Sequence, residues 1–231
     1  MSSYANQKDD FLSDSGLWNA DAVNGSNTLT GGARVMAKTS AGWGETGLRA
    51  INGRTPIAGD GIEWDFTLND IASASMDVNN VLMGFRAGGN TDYNTTLISA
   101  YPYWDNSVGT PGVKLRGYTF GLATDSILDI NLVEGETYTI KVSIDPSTGE
   151  LTIQTKGGVI GASYQNLSVP NGVDARGYGV WRFQTNLYNT GSDISISRFE
   201  WYDSGGPDVP AGSGGAAIDH PCQMCNSQGW L

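Results

Sequence analysis

The chain contains 231 residues with 24 acidic and 13 basic side chains, so its formal net charge is -11. A field of that sign repels phosphate backbones and anionic membranes, which argues against nucleic acid as a partner. No apolar run reaches the roughly 18 residues of a membrane span, and the opening stretch MSSYANQKDDFLSDSG lacks the basic and hydrophobic regions of a signal peptide. We therefore expect no membrane span and no ordinary secretion route.

Short β-strands dominate the predicted secondary structure. In the stretch GIEWDFTL, Ile62, Trp64, Phe66 and Leu68 alternate with polar residues, which places them on one face of a strand. The same period of two recurs, in chain order, in NVLMGFRAG, TTLISAYPYW, GVKLRGYTFG, TYTIKVSI, ELTIQT, YGVWRFQT and DISISRFEWYD. About ten to twelve strands, separated by turns rich in Gly, Asn and Asp, predict an all-β domain of two antiparallel sheets packed face to face.

The stretch AYPYWDNSVGTPG, residues 100–112, places three aromatic residues directly before a polar loop. A sugar presents an apolar ring face and a rim of hydroxyls, so a sugar site needs an exposed aromatic ring beside polar side chains. Unless Pro102 breaks the strand, alternation puts Tyr101 and Tyr103 on one face and Trp104 on the other. At least one ring should then face solvent; the alternative is that all three close one end of the core.

Other candidate binding residues lie elsewhere in the chain. Trp43, in SAGWGETG, is flanked by glycine, which predicts that this aromatic residue lies on a loop. Arg86 and Arg182 can hold vicinal hydroxyls or the carboxylate of an acidic sugar, or they can pair with surface carboxylates. The predicted carbohydrate-binding residues are Trp43, Arg86, Tyr101, Tyr103, Trp104, Asp105, Asn106 and Arg182.

The composition changes after Asp203. Residues 204–217, SGGPDVPAGSGGAA, have too few apolar side chains to pack, which predicts a flexible linker. We therefore assign residues 1–203 to the β-sandwich and residues 218–231 to a short terminal peptide.

The terminal peptide contains the only two cysteines of the chain, Cys222 and Cys225, close to His220. These three residues can bind Zn²⁺, although a structural zinc site takes four ligands, and a disulfide within the pair is the alternative. Because the peptide follows a linker and ends in Trp230 and Leu231, we interpret it as a segment that docks on other subunits of an assembly, including further copies of this chain.

Four segments in this order, FLSDSGLWN, GIEWDFTLND, GETYTIKVSIDPSTGELTIQ and ISISRFEWYD, resemble the concanavalin A-like lectin/glucanase superfamily, including its laminin-G-like members, over residues 11–203. The resemblance implies a jelly-roll sandwich. It also implies that carbohydrate binds on a concave sheet face or its rim loops, and some members of the superfamily cleave glycosidic bonds there.

The catalytic motifs of the superfamily are incomplete in this sequence. Laminarinase-like members carry Glu-x-Asp-x-(x)-Glu, because retaining hydrolysis needs two carboxyl groups. Glu63 and Asp65 match the first two positions, but Thr67 or Leu68 stands in place of the second Glu. Lyase-like members need a His and a Tyr, and the only histidine is in the terminal peptide. We therefore expect a protein without catalytic activity.

The metal motif is also incomplete. Legume-lectin-like members use Glu-x-Asp with a following Asn, matched here by Glu63, Asp65 and Asn69, but the His that should come later is missing. A single Ca²⁺ held by oxygen ligands is one interpretation. The other is that Glu63 and Asp65 occupy the solvent face of a strand whose Trp64 and Phe66 belong to the core.

These observations predict a non-catalytic, lectin-like domain of a virion-associated or surface-displayed protein, such as a phage fibre, spike or capsid decoration that contacts host polysaccharide. Virion proteins are made in the cytoplasm and need no export signal. Two alternatives remain. One is a purely structural subunit whose aromatic residues are interface anchors, and the other is a glycoside hydrolase or polysaccharide lyase with an atypical active site.

Overall fold

The computed structural model describes residues 7–40, 46–51, 53–57, 59–71, 81–87, 96–105, 112–119, 124–168, 174–178, 180–187, 191–202 and 209–210. Within these ranges the regular structure is β-strand apart from two short 3₁₀ turns, Gly158–Ile160 and Ala175–Tyr178. None of the helical segments in these ranges has the length and apolar character needed to cross a membrane.

Sixteen strands occur in the described residues. They are β1 (Gln7–Asp9), β2 (Trp18–Ala22), β3 (Gly25–Thr30), β4 (Ala33–Lys38), β5 (Thr46–Ala50), β6 (Gly61–Ile71), β7 (Val81–Ala87), β8 (Thr96–Asp105), β9 (Gly112–Thr119), β10 (Thr124–Leu128), β11 (Thr137–Ile144), β12 (Leu151–Gly157), β13 (Gly161–Ser168), β14 (Trp181–Leu187), β15 (Ser192–Tyr202) and β16 (Val209–Pro210).

The strands form two sheets, as the sequence predicted. One sheet has nine strands and runs β13-β12-β11-β6-β15-β1-β16, with β4 also paired to β15 and β3 paired to β4; we call it the back sheet. The other has seven strands in the order β10-β9-β8-β7-β14-β5-β2, and we call it the front sheet. Every described pair is antiparallel except β1 with β16, which is parallel. The architecture is an antiparallel jelly-roll sandwich.

The predicted strand number was too low, because β2 to β5 lack strong apolar alternation. Strand β3, for example, has the sequence GSNTLT, and each of its side chains is half-buried or exposed. The short strand β16 falls inside the segment 204–217 that the sequence marks as a linker, and it pairs with β1 through Val209 and Pro210.

The core lies between the two sheets and is rich in aromatic rings. Trp64 and Phe66 on β6 are fully buried, as predicted, and they alternate with half-buried polar residues. Trp64 contacts the front sheet through Phe183, at a ring-centroid distance of 5.2 Å, and through Phe85 at 6.1 Å. Both contacts have the edge-to-face geometry that aromatic pairs prefer.

A buried carboxylate joins the first strands of the two sheets. Asp9, only 2% exposed, accepts hydrogen bonds from the Phe11 backbone N–H (2.8 Å), the Ser15 hydroxyl (2.6 Å) and the Trp18 indole N–H (2.5 Å). Because β1 belongs to the back sheet and Trp18 begins β2 of the front sheet, these bonds fix the chain at its crossing from one sheet to the other.

We expect Trp64→Ala to lower the free energy of unfolding by about 3–5 kcal/mol, because it leaves a cavity between the sheets. As a control, Val159→Ala changes a side chain that is 49% exposed and should alter stability by less than about 0.5 kcal/mol. Urea denaturation followed by far-UV circular dichroism measures both. Equal losses in the two variants would show that the sheets do not depend on this contact.

Candidate functional site

The outer side of the front sheet carries the candidate site, and we call this surface the polar face. Along β14, Trp181 and Phe183 are buried in the core. Since successive side chains of a strand point to opposite sides, Arg182, Gln184 and Asn186 belong to the outer side. The strand therefore presents a row of three polar side chains to the polar face.

A depression on the polar face forms where β14 approaches β5. Its lining includes Asp21, Gly47, Arg49, Gln184 and Asn186. Arg49 and Gln184 are direct partners in the β5–β14 ladder, and Arg49 Nη2 lies 3.4 Å from Asp21 Oδ2. The depression thus combines two carboxamides with a partly buried ion pair.

Two glycines leave the space beside the carboxamides free of side chains. Gly84 on β7 stands directly opposite Gln184. Gly47 on β5 lies so close to β14 that a Cβ there would approach the Thr185 carbonyl oxygen to 2.1 Å, which only glycine avoids. Because neither glycine places a side chain beside Gln184 or Asn186, the two carboxamides form the floor of the depression.

Among the described residues, two polar atoms on this side of β14 lack hydrogen-bond partners. Asn186 is 5% exposed, and its Oδ1 is buried without a hydrogen-bond partner. The Nε of Arg182 is also buried without one. A buried polar atom that makes no hydrogen bond costs about 1–3 kcal/mol. The arrangement therefore offers an acceptor and a donor to a ligand that carries polar groups.

Five of the residues that the sequence selected lie on adjacent strands of this sheet. Arg86 on β7 and Arg182 on β14 occupy directly opposed positions. Tyr101, Tyr103 and Asp105 take every second position of β8, which adjoins β7. Arg86 stands opposite Thr96 at the start of β8, so the two arginines lie at a different level along the strands from Tyr101, Tyr103 and Asp105. The five positions therefore share one sheet but do not form one cluster.

The remaining residues of the aromatic stretch have other positions. Strand β8 continues through Pro102 without a break, and its ladder with β7 ends at Ser99, so the missing N–H of Pro102 interrupts no bond on that side. Trp104 shares its alternate positions with Ala100 and Pro102, which are buried. The side chains of Tyr101, Tyr103 and Trp104 lie outside what the structure describes, so their exposure stays a prediction.

Several predicted residues fall outside the described part of the chain. These are Trp43, Asn106, His220, Cys222 and Cys225. Their roles in sugar binding or in a zinc site stay predictions.

Sequence reasoning missed Asp21, Arg49, Gln184 and Asn186. A signal for two of them was present, because the stretch WRFQTNL alternates Arg182, Gln184 and Asn186 with core residues, although only the arginine was selected. Asp21 and Arg49 lie in strands that the pattern did not predict. Their proximity to β14 depends on strand order, which no local pattern reports.

The Glu-x-Asp motif lies on the outer side of the back sheet, away from the polar face. Arg198 Nη2 lies 2.7 Å from Glu63 Oε2, and Arg198 Nε lies 2.8 Å from Asp65 Oδ2. A third contact, from Nη1, reaches Glu200 Oε2 at 2.9 Å. Tyr164 also donates a hydrogen bond to Glu63 Oε1 at 3.1 Å. One guanidinium thus joins three carboxylates into a network on the sheet surface.

This network does not fit the metal site that the legume-lectin motif implies. The oxygens of Glu63 and Asp65 already accept bonds from Arg198, and the Asn69 amide donates to Asp193 (2.8 Å) and Ser195 (2.7 Å). Within the described ranges, no group of three or more His, Cys, Asp and Glu residues could hold a metal ion. Glu63 and Asp65 follow the simpler interpretation, on the outer side of a strand whose Trp64 and Phe66 are core.

Two tyrosines in this network resist ionisation. Burial and the carboxylate of Glu63 raise the pKa of Tyr164 above its usual value. Burial, together with the charges of Glu63 and Glu200, raises the pKa of Tyr202 to about 12. Both hydroxyls therefore keep their protons in the folded protein at pH values where exposed tyrosines lose them.

Comparison with known proteins identifies the fold. No protein-family model matches the sequence, and no curated protein sequence matches it. Solved structures do match. Peanut lectin bound to a nine-residue peptide has 12% sequence identity and a TM-score of 0.61, over 85% of this chain and 96% of the lectin.

Two further structures agree. Winged bean acidic lectin complexed with methyl-α-D-galactose shows 11% identity and a TM-score of 0.62, over 85% of this chain and 96% of that one. The carbohydrate recognition domain of Emp46p shows 12% identity and a TM-score of 0.59, over 81% and 88%. The chain therefore has the concanavalin A-like lectin fold, as its sequence features indicated.

We expect the folded protein to lose stability as the pH rises from about 10 to about 12, in part through Tyr202. In that window the unfolded chain releases the Tyr202 proton while the folded chain keeps it, so ionisation favours unfolding. Tyr202→Phe should make this loss smaller. Urea denaturation at pH values below and within the window measures the change, and the same pH dependence in both proteins would show that Tyr202 ionises normally in the folded state.

Proposed function

We propose that this protein is a non-catalytic carbohydrate-binding protein and that glycan binds on the polar face of the front sheet. The observation that carries the proposal is the floor of the depression, where Gln184 and Asn186 lie beside two glycines and Asn186 Oδ1 has no hydrogen-bond partner among the residues that the structure describes. Carboxamides both donate and accept hydrogen bonds, as sugar hydroxyls do, so a pair of them suits vicinal hydroxyls.

The neighbouring strands supply the other requirement of a sugar site. Strand β8, with Tyr101 and Tyr103 at alternate positions, lies two strands from β14 in the sheet order. Two strand spacings amount to about 10 Å, a separation that a short oligosaccharide spans. We expect a tyrosine ring to cover an apolar sugar face while the carboxamides bind hydroxyls.

The carboxylates of the Glu-x-Asp motif support binding without catalysis. Retaining hydrolysis needs one carboxyl group as nucleophile and another as acid, both facing the same glycosidic bond. Glu63 and Asp65 are instead held by one arginine on the other sheet. The solved structures with the same fold are lectins and a carbohydrate recognition domain, which agrees with a binding role.

We further propose that the protein is displayed on a virion or another external assembly and contacts host surface polysaccharide. This part rests on the sequence, where a Gly-, Pro- and Ser-rich stretch precedes a terminal peptide suited to docking on other subunits. Mass spectrometry of purified particles should detect the chain in fixed proportion to the main structural proteins. Its absence from particles would remove this part of the proposal and leave the binding function untouched.

We expect Gln184→Ala and Asn186→Ala each to weaken binding to a captured polysaccharide by about tenfold, because each removes hydrogen bonds to sugar hydroxyls. Gln154→Ala is the matched control, since Gln154 is a strand glutamine on the back sheet bonded to Asn166. A polysaccharide array screens the full-length chain with and without Ca²⁺. Calorimetry then measures the affinities for the polysaccharides that bind. Chromatography tests the same mixtures for cleavage products.

Three results would contradict the proposal in different ways. Absence of binding to every polysaccharide would favour the purely structural subunit. Binding that responds to Gln154→Ala but not to Gln184→Ala would move the site to the back sheet. Release of shortened or unsaturated products would identify an enzyme with an atypical active site.

A further inference from the structure

The polar face is basic, although the protein as a whole is acidic. Across the chain, 24 acidic residues outnumber 13 basic ones. The strands of the front sheet reverse this balance, with five basic residues against three acidic ones. The basic residues are Arg49, Arg86, Lys114, Arg116 and Arg182, and the acidic residues are Asp21, Asp105 and Asp125.

All five basic positions belong to the polar face. Each is one residue away from a side chain that is fully buried in the core, and strand alternation places neighbours on opposite sides. The buried neighbours are Leu48, Phe85, Leu115 and Trp181. The acidic positions of these strands lie on the same side, so the surface that carries the depression has a small excess of basic over acidic strand residues, five against three.

Arg182 differs from two other basic residues of the front sheet in its ion pairing. Arg49 pairs with Asp21, and Lys114 pairs with Asp129. In the part of the chain that the structure describes, Arg182 forms no ion pair, and its Nε is buried without a hydrogen-bond partner. Carboxylates are abundant in this chain, so an arginine without one, two positions along β14 from the Gln184 that lines the depression, is unusual.

The register between β7 and β14 places a second basic residue opposite Arg182. Arg86 occupies the position of β7 directly opposite Arg182. Like charges at directly opposed positions of neighbouring strands repel each other. An anion bound beside Arg182 would offset this repulsion and supply the hydrogen bond that the Arg182 Nε lacks among the described residues.

We propose that the glycan is acidic and that the carboxylate of a uronic acid unit binds at Arg182, opposite the Arg86 position of β7, while hydroxyls of that unit and of the next unit bind Gln184 and Asn186. This inference rests on the proposed carbohydrate-binding function. The planar guanidinium matches a carboxylate through two parallel hydrogen bonds. Arg182 and Gln184 are two positions apart on one strand, about 7 Å, so adjoining parts of one acidic saccharide reach both.

The net charge of the chain restricts where an acidic polysaccharide can bind. A protein with a formal charge of -11 repels polyanions over most of its surface. Attraction to an acidic polysaccharide is therefore confined to the basic polar face, whereas a neutral polysaccharide gains nothing from this charge pattern.

The experiment uses the full-length chain and three uronate polysaccharides: polygalacturonate, alginate and hyaluronate. Each polysaccharide is compared with its methyl ester, which has the same backbone without the negative charge. Poly-L-glutamate serves as a polyanion that lacks sugar rings, and a panel of neutral polysaccharides completes the set. We expect at least one uronate to bind about tenfold or more tightly than its ester, with no binding of poly-L-glutamate.

Arg182→Gln should remove that preference, while Arg176→Gln should leave it unchanged. Both variants lose one positive charge, but Arg176 is bonded to Asp174 on a 3₁₀ turn outside the front sheet. Thermal unfolding monitors the folding of both variants. If Arg182→Gln does not fold, the salt dependence of the unaltered protein decides instead, because binding of the uronate should weaken with added salt far more than binding of its ester.

The possible failures are distinguishable. Equal affinities for acid and ester, or for neutral polysaccharides, would overturn the acidic preference and leave carbohydrate binding in place. Binding of poly-L-glutamate as tight as that of the uronates would overturn it in favour of an acidic peptide partner. No binding to any polysaccharide, charged or neutral, would overturn the proposed function itself.

Discussion

The packing of Trp64 against Phe85 and Phe183 is the contact on which the rest of the structure depends. It joins β6 of the back sheet to β7 and β14 of the front sheet, and it fixes which side of each strand is buried. A shift by one residue in any of these strands would move its aromatic residues into solvent and its polar residues into the core. The position of Arg182, Gln184 and Asn186 on the polar face is a direct consequence of that constraint.

The two outer faces of the sandwich use their polar residues differently. On the back sheet, Arg198 contacts Glu63, Asp65 and Glu200, and Tyr164 adds a further hydrogen bond, so these carboxylates are bonded within the protein. On the front sheet, Asn186 keeps an acceptor without a partner in the described ranges of the chain. Networks that are fully bonded stabilise a fold, whereas unsatisfied groups beside an accessible depression are typical of binding sites. The contrast explains why the conspicuous Glu-x-Asp motif is structural and the less conspicuous WRFQTNL strand is the better candidate.

Much of the fold could be predicted because apolar and polar residues alternate clearly along the long strands. GIEWDFTL and TYTIKVSI each alternate clearly, and the two segments pair in the structure with Ile140 opposite Trp64. Strands such as GSNTLT have no buried side chain and gave no such signal. The site was predictable only in part for the same reason. Residue type alone selects the arginines and tyrosines, which are Arg86, Arg182, Tyr101 and Tyr103. Residue type does not select Gly47 and Gly84, because their effect is the absence of a side chain beside particular neighbours.

The sequence by itself determined the fold class and, for each clearly alternating strand, which residues face the core. It also determined the acidic net charge and showed that the hydrolase motif is incomplete. Each of these follows from local pattern or composition. Only the tertiary structure decided which strands are neighbours. That order brings Arg49 beside Gln184 and Arg86 opposite Arg182, although each pair is separated by roughly a hundred residues or more in the chain. Because sheet order depends on long-range packing between the two layers, the basic polar face does not exist until the sandwich closes.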